Sequence, residues 1–433
     1  PGVVPTWIDR ISLTGDIRLR AQSDMFPSEN VFGSYYNYQA INDAGSISGA
    51  GENATFNMTE DRDRLRVRAR LGLKVKVTNE WMAGMGLATG SFNDPVSTNQ
   101  TLGNFNRNFR VVLNKAYLKY TSETEYYTFL GGRMPNPWFG TDLVWDSDLN
   151  FDGIATKLRF SKTDNPLDVD ENQIEPYLSV GAFPLSESNL HSDKWLLGLQ
   201  TGFDWQLLSQ SRLRFAIAYY DYQNIDGTRN QSGDGTTYDY TAPEFMQAGN
   251  TLFNIADPLT SNRRMALASD YNLVNITLSY DLANFAPIHY YFTADYVKNI
   301  GYGINQDART VDPTFVGAAN YAEESTGYKL KFDIGWPYVR ERGNWRVWLS
   351  YKYLERDATL ASFTDSDFHL GGTDAKGYIL GGAYGLNENV WLDARWISSE
   401  TINGEQFALD PTTAKENRPY KINTLQINLN AKF

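Results

Sequence analysis

Apolar and polar residues alternate along long stretches of the chain. From Arg64 to Val77 every odd-numbered residue is apolar, and every even-numbered residue is basic except Gly72. Successive side chains of a β-strand point to opposite faces. This segment is therefore expected to form one strand with an apolar face and a cationic face. The same alternation recurs in the segments 194–206, 287–299 and 419–433.

The pattern predicts about sixteen strands and no long helix, because no segment repeats its apolar residues with the 3.6-residue period of an amphipathic helix. The predicted strands are 10–24, 63–78, 81–91, 111–121, 125–134, 151–161, 173–183, 194–206, 211–222, 269–281, 287–299, 325–335, 344–355, 376–386, 389–399 and 419–433.

The connections between these strands differ in length on the two sides. Connections after even-numbered strands are mostly short, such as Asn79-Glu80 and Asn387-Glu388, with 162–172 as a longer exception. Short turns on one side and long loops on the other are typical of antiparallel outer-membrane barrels. The long, polar connections follow odd-numbered strands and span 25–62, 92–110, 135–150, 223–268, 300–324, 356–375 and 400–418.

A soluble β-sandwich also alternates, but three features favour a membrane barrel. The predicted strands often have roughly 10–15 residues, against a usual length of about 5–6. The chain ends on Phe433, at the end of an alternating strand. Aromatic residues also lie near strand ends, as in interfacial girdles. We therefore predict an all-β, transmembrane, antiparallel up-and-down β-barrel that forms one domain over residues 1–433. The aromatic residues are Trp81, Tyr120, Trp195, Trp205, Trp345 and Trp396.

Composition excludes several classes of protein. The chain has 433 residues and no cysteine, which removes disulfide scaffolds, zinc fingers and thiol catalysis. A formal net charge of −12 argues against nucleic acid as a partner. The longest run free of charged and polar side chains, Gly377 to Leu386, is too short for a membrane helix, which needs roughly 20 apolar residues.

Catalysis finds little support in the sequence. There are 3 histidines: His191 and His369 lie in predicted loops, and His289 lies on a predicted lumen face. A lipase-like site needs a Ser-His pair oriented by a third polar group, and the G-x-S-x-G motif is missing. We expect no enzymatic activity and no cofactor.

Several segments resemble outer-membrane porins. The segment ending in Phe433 resembles the assembly signal of Gram-negative outer-membrane proteins. The stretches Leu130-Gly-Gly-Arg-Met-Pro-Asn-Pro-Trp138 and Val144-Trp-Asp-Ser-Asp-Leu-Asn-Phe-Asp-Gly153 are similar to the start and end of the constriction loop of proteobacterial porins. With the opening Arg10-Ile-Ser-Leu-Thr-Gly-Asp-Ile-Arg-Leu-Arg20, they most resemble the "putative porin" family of sixteen-stranded barrels. The resemblance implies a homotrimer. The Pro-Glu-Phe-Gly-Gly motif of enterobacterial general porins is missing from the sequence.

Arginines are concentrated on the predicted lumen face of the first two strands. In lipid each would cost about 2–4 kcal/mol near the midplane, so a water-filled lumen is the expected environment. The loop 135–150 is expected to fold inward and to present carboxylates to this wall; alternatively, some arginines only support the loop through ion pairs. The predicted basic wall consists of Arg18, Arg20, Arg64, Arg66, Arg68, Arg70, Arg133 and Arg159. The predicted acidic loop residues are Asp142, Asp146, Asp148 and Asp152.

A calcium site is an alternative for the same loop. Asp146, Asp148, Asn150 and Asp152 offer oxygen atoms at alternate positions, and Ca²⁺ takes six to eight oxygen ligands. An EF-hand loop would need glycine where Phe151 stands, and its closing glutamate is missing. The electrostatic interpretation is therefore preferred, and no metal is expected.

Basic residues outnumber acidic ones on the face assigned to the lumen, and rings of Arg and Lys favour anions. The sequence therefore predicts a Gram-negative outer-membrane porin for passive diffusion of small hydrophilic solutes and ions, with modest anion preference. The alternatives are an eighteen-stranded substrate-specific channel, with an extra hairpin in 223–268, and a structural barrel that scaffolds a partner. An even strand number puts both termini on the periplasmic side. Expected partners are the lipid bilayer, lipopolysaccharide and small solutes.

Overall fold

The structure is a computed structural model and describes residues 8–31, 35–160, 173–207, 211–311, 323–403 and 420–433. The strands in these ranges are β1 (Ile11–Met25), β2 (Arg62–Lys76), β3 (Trp81–Thr89), β4 (Gln100–Thr101), β5 (Val111–Thr121), β6 (Tyr127–Pro135), β7 (Asn150–Arg159), β8 (Gln173–Ser186), β9 (Lys194–Gln206), β10 (Arg212–Gln223), β11 (Leu252–Asn254), β12 (Met265–Leu267), β13 (Tyr271–Leu282), β14 (His289–Asn299), β15 (Thr326–Gly335), β16 (Trp345–Leu354), β17 (Ala375–Asn387), β18 (Val390–Thr401) and β19 (Lys421–Lys432).

Sixteen of these strands form one closed antiparallel barrel, as predicted. The strands pair in chain order, and β1 closes the sheet by pairing with both β2 and β19. The two-residue strand β4, in the connection after β3, also pairs with β2, and the short strands β11 and β12 pair with each other in a separate sheet. A hairpin thus exists within 223–268, but it does not join the barrel, and the strand number is sixteen rather than eighteen. The predicted strand bounds agree closely; the largest departure is the end of β8, predicted at 183 and observed at Ser186.

The connections differ between the two ends of the barrel, which we call the loop end and the turn end. The loop end carries the connection after β1 and every second one thereafter, and we number these loops L1 to L8 in chain order. L2 spans 90–110, L3 spans 136–149 and L7 spans 355–374. The predicted turn-end segment 162–172 lies outside the described residues.

The two faces of the wall follow the alternation in the sequence. On β2, the side chain of Leu65 is 60% exposed on the outer face, while the arginines on either side of it point inward. At the turn end, the rings of Trp81 and Tyr120 lie 5.1 Å apart, and Tyr127 follows at 6.0 Å from Tyr120. Apolar side chains outside and polar side chains inside are what a lipid-facing wall around an aqueous lumen requires.

The described helices are short and lie in the loops. They are α1 (Tyr38–Ala44) and α2 (Ile47–Ala50) in L1, and α3 (Gln306–Val311) in L6. No described helix is long and apolar enough to cross a membrane.

A hydrophobic cluster inside the barrel holds L3 against the wall formed by β7 to β10. The Trp145 ring contacts the rings of Phe151 and Tyr220 at centroid distances of 5.1 and 5.0 Å. Trp138 lies over Gly198, where an added Cβ would come within 2.5 Å of the indole ring. Full burial of each large apolar side chain contributes about 1.5–3 kcal/mol. L3 is therefore anchored on one side by apolar packing, and its polar groups extend into the lumen.

Candidate functional site

Six of the seven arginines of β1 and β2 form one cluster on the lumen face, which we call the arginine row: Arg18, Arg20, Arg64, Arg66, Arg68 and Arg70. In the register of the two strands, Arg18 lies directly opposite Arg68, and Arg20 lies directly opposite Arg66. Like charges in directly opposed positions are destabilising. The arrangement therefore requires counter-charges.

The barrel wall itself provides part of this counter-charge. Asp16 on β1 accepts hydrogen bonds from Arg68 and Arg70, each at 2.9 Å. Asp24, also on β1, pairs with Arg64. All five side chains lie on the inward faces of two paired strands, so this part of the network depends only on the strand register.

L3 provides a further carboxylate. Asp148 accepts a hydrogen bond from Arg70 at 3.1 Å and lies 4.0 Å from a terminal nitrogen of Arg68. Its second oxygen accepts from the Thr98 hydroxyl of L2 at 2.8 Å. Asp148 is thus the predicted loop carboxylate that the structure brings to the arginine row.

Asp142 faces different cations, on the far side of the lumen. Its carboxylate pairs with Lys329 on β15, and its backbone carbonyl accepts from Lys352 on β16 at 3.1 Å. Burial opposes ionisation here, but the Lys329 and Lys352 ammonium groups outweigh it and lower the pKa of Asp142. The neighbouring Thr141 hydroxyl donates to Asp295 on β14 at 2.6 Å. L3 therefore spans the lumen, from the arginine row to β14, β15 and β16.

Asp146 lies at the contact between L3 and L7 rather than at the arginine row. Its carboxylate accepts from the backbone N–H of Asp148 at 2.7 Å and of Ser366 at 2.9 Å. Burial first, and then the charge of Asp365, raise the pKa of Asp146 to about 8. Burial and the charge of Asp142 raise the pKa of Asp365 to about 6. These two carboxyl groups are therefore the protonatable part of the loop contact.

L7 supplies a carboxylate that the sequence reasoning missed. Asp367 accepts from Arg20 at 2.8 Å and from Arg395 on β18 at 2.6 Å. Burial opposes ionisation, but Arg20 and Arg395 hold the pKa of Asp367 well below its usual range. A signal was present in the sequence: Asp-Ser-Asp occurs at 146–148 and again at 365–367, and the two segments lie against each other.

Three predicted site residues lie away from the arginine row. Arg133 on β6 pairs with Asp152 on β7 at 2.6 Å, and both side chains are partly exposed. Their neighbours Met134 and Phe151 are buried against L3, and Arg133 and Asp152 line a cavity beside that loop. Arg159 ends β7 at the turn end.

The four calcium-ligand candidates do not converge. Asp146 and Asp148 accept hydrogen bonds from N–H and O–H donors, and Asp152 pairs with Arg133. Asn150 directs its amide N–H at the Asp148 carbonyl, 3.1 Å away. Among the described residues, no group of three or more His, Cys, Asp or Glu side chains could hold a metal ion.

A second set of lumen cations lies on β2, β5, β7 and β10, beyond the arginine row. Among the described residues, no carboxylate oxygen lies within 4.0 Å of any of their charged nitrogens. Two of them instead lie over aromatic rings: Lys157 is 3.9 Å from the centroid of Tyr177, and Arg214 is 4.6 Å from that of Phe139. We call this set the unpaired cations: Lys74, Lys115, Lys119, Lys157, Arg159 and Arg214.

The structure thus brings charges of both signs together inside the barrel. L3 and L7 bring carboxylates into the interior of the barrel, and cations surround them on the wall. Charges of opposite sign across a narrow lumen produce a transverse field, which acts on ions and dipolar solutes by sign and orientation.

Comparisons with known proteins agree with this description. A profile of the family described as "Putative porin" matches residues 1–433, whereas a search of curated proteins gives no significant match. OprB of Pseudomonas putida, in its high-pH structure, aligns with a TM-score of 0.51 and 8% identity over 98% of this chain and 95% of that chain. The outer membrane channel DcaP of Acinetobacter baumannii aligns with a TM-score of 0.47 and 12% identity over 98% and 97%. At these identities the likeness to OprB concerns the fold alone. By the full-length family match, the chain belongs to the family described as "Putative porin" and is an outer-membrane β-barrel channel.

Proposed function

We propose that the channel is a passive porin for small hydrophilic solutes and ions, with a modest preference for anions. The observation that carries this proposal is the set of unpaired cations on the lumen wall. A cation already paired with a carboxylate contributes little net field, whereas an unpaired one attracts anions along the path. Rings of Arg and Lys in a pore favour anions in the same way.

The paired arginine row has a different role in this proposal. Asp16, Asp24, Asp148 and Asp367 neutralise much of its charge, and the pairs to Asp148 and Asp367 hold L3 and L7 inside the barrel. We infer that the row narrows and shapes the path. The unpaired cations then set the sign of its field.

The remaining features of the proposal rest on the family and on the even strand number. The protein is expected in the outer membrane of a Gram-negative cell, with both termini periplasmic and the loop end outside. Expected contacts are with lipid, lipopolysaccharide and two further copies in a homotrimer. We propose no catalytic activity and no cofactor.

A structural barrel around a partner protein is the alternative from another class. It requires a lumen wide enough for a folded chain. L3 reaches from the arginine row to Lys329 across the lumen, and L7 packs beside it. This arrangement favours a path for small solutes.

Reconstitution into planar bilayers tests the proposal. A passive porin gives steady conductance steps that scale with salt concentration, and its liposomes swell in small sugars but not in large oligosaccharides. Protein that inserts but gives no steps, or only erratic ones, would contradict the channel function.

A further inference from the structure

A cavity of about 400 Å³ lies on the turn-end side of L3, between that loop and the wall from β10 to β18. Its volume lies within the range of about 300–1,000 Å³ typical of small-molecule sites. None of the contacts that anchor the arginine row occurs in this cavity, with the exception of Arg395. The cavity is therefore largely separate from the arginine row.

Five lining residues form one continuous row across five neighbouring strands. In the register of the barrel, Arg214 lies opposite Ser279, Ser279 opposite Thr293, Thr293 opposite Lys331, and Lys331 opposite Ser350. We call this the Arg214–Ser350 belt. Neighbouring strands lie about 4.8 Å apart, so the belt presents polar groups at regular intervals around one side of the lumen.

The belt offers one unpaired cation. Arg214 has no hydrogen bond to another side chain and no carboxylate within 4.0 Å among the described residues, and its guanidinium stacks on Phe139 of L3 at 4.6 Å. Phe139 is itself fixed, because its N–H and C=O groups bond the side chain of Gln200 at 2.9 and 2.8 Å. A stacked guanidinium keeps its edge free for a carboxylate, which it can bind with two parallel hydrogen bonds.

The belt also offers hydroxyl groups. Ser279, Thr293 and Ser350 have no side-chain hydrogen-bond partner within the part of the chain that the structure describes, and all three line the cavity. The nearby carboxylates are occupied: Asp142, which lines the cavity, pairs with Lys329. Asp295 accepts from Thr141, and Asp333 pairs with Lys331 at 2.8 Å. An incoming solute therefore meets hydroxyl groups that are free to donate or accept, without an unpaired carboxylate to repel it.

An aromatic surface completes the lining. Trp348 on β16 lies opposite Gly381 on β17, and a Cβ at Gly381 would lie 2.3 Å from two atoms of the indole ring. The indole thus packs against the glycine and lines the cavity, with the Lys331 ammonium 5.6 Å from the ring centroid. Flat apolar faces of this kind accommodate the C–H face of a sugar ring or an aromatic ring.

We propose that the Arg214–Ser350 belt recognises a small polyhydroxylated carboxylate, of the sugar-acid class, on its way past L3. The carboxylate binds Arg214, the hydroxyls of the solute bond to Ser279, Thr293 and Ser350, and its ring lies on Trp348. This inference rests on the proposed channel function. It goes further by naming the class of solute and the residues that select it.

Block of the chloride current by galacturonate tests this inference. Galactose lacks the carboxylate, acetate lacks the hydroxyls, and benzoate replaces the hydroxylated ring by an aromatic one. In the unaltered protein, galacturonate is expected to block at a concentration about tenfold lower than any of the three, because it makes the charge-assisted and the neutral hydrogen bonds together. Stronger block by benzoate than by galacturonate would overturn the role of the hydroxyls.

Variants then locate the site. Arg214→Gln is expected to raise the half-blocking concentration of galacturonate about tenfold, and Ser350→Ala about threefold. Lys76→Gln, at the turn end of β2, removes the same charge outside the belt and is the matched control. Each variant is first checked for chloride conductance steps. If the unaltered protein gave no conductance steps, the channel function itself would be contradicted. Normal steps with equal effects of Arg214→Gln and Lys76→Gln would overturn only the recognition site.

Discussion

The two sides of the lumen are both rich in cations, but carboxylates pair with more of them on one side than on the other. On the β1–β2 side, Arg20, Arg64, Arg68 and Arg70 each pair with an aspartate, whereas Arg18 and Arg66 bond to Asn99 and Gln22. On the β5–β10 side, Arg212 pairs with Asp204, but five of the unpaired cations, all except Lys74 of β2, lie there without a carboxylate within 4.0 Å among the described residues. The same residue types therefore occur in two different electrostatic situations within one barrel.

This difference indicates that the two sides have different roles, one in holding the loops and the other in ion selectivity. The paired side holds L3 and L7 in place, because removal of either partner of a buried pair leaves a charge without compensation. The unpaired cations do not hold a loop through an ion pair, and their charge is available to passing ions.

Asp367→Asn should cause the largest loss of stability. Arg20, which is 1% exposed, and Arg395 would lose their common carboxylate, at a cost of about 3 kcal/mol. Urea unfolding in detergent, followed by circular dichroism, measures this. Asp393→Asn is the matched control, since among the described residues Asp393 accepts hydrogen bonds only from the amides of Asn428 and Asn430. Equal unfolding midpoints for the two variants would contradict the anchoring role of Asp367.

The double variant Lys119→Gln with Lys157→Gln should change the ion selectivity of the channel but not its stability. Within the described residues, no carboxylate lies within 4.0 Å of either lysine, so the unfolding midpoint should stay close to that of the unaltered protein. The chloride-to-potassium permeability ratio should fall by about twofold, because two unscreened charges leave the lumen wall. An unchanged ratio from bilayer recordings would show that these lysines do not contribute to the field.

The contact between L3 and L7 should loosen as the pH rises. The pKa values of Asp146 and Asp365 are raised to about 8 and about 6 by burial and by neighbouring carboxylates, so the docked loops bind more protons than the separated ones. The stabilisation is complete below the ordinary pKa near 3.8 and is lost as the pH rises through 6 and 8.

Current fluctuations recorded from pH 5 to pH 9 measure this loosening, and their frequency should rise with pH. In Asp365→Asn, whose amide is similar in size but does not titrate, the part of the rise near pH 6 should disappear. A variant with the same pH profile as the unaltered protein would exclude Asp365 as the titrating group.

Asp152→Asn should have the smallest effect. Its pair with Arg133 is partly exposed on both sides, with 33% and 54% of the side chains accessible. Exposed pairs contribute about 0–1 kcal/mol. Neither the unfolding midpoint nor the permeability ratio should change measurably. A marked change in selectivity would show that this pair contributes to the field along the path of the ions.

The sequence predicts the wall much better than the interior. Alternation depends only on local geometry, so the strands and the inward-facing arginines of β2 are readable directly. Gly132 and Gly153 have φ values of +111° and +140°, and their neighbours Arg133 and Asp152 lie away from the arginine row. The alternation of apolar and polar residues does not predict that these two side chains lie away from the row.

The partners of the loop carboxylates are harder still to predict. The course of L3 across the lumen brings Asp142 to Lys329, a residue 187 positions away in the chain. It brings Asp146 to L7 through Ser366, 220 positions away. Such contacts depend on the closure of the whole barrel. The repeated Asp-Ser-Asp was visible in the sequence, but only the fold shows that its two copies meet.

The reversal potential across a potassium chloride gradient tests the central claim most directly. If the unpaired cations set the field of the lumen, the unaltered channel prefers chloride, and this preference weakens as salt shortens the screening length below about 8–10 Å. The double variant of Lys119 and Lys157 moves the potential towards that of potassium. A clear potassium preference in the unaltered channel would contradict the account, because the carboxylates of L3 and L7 would then dominate the path.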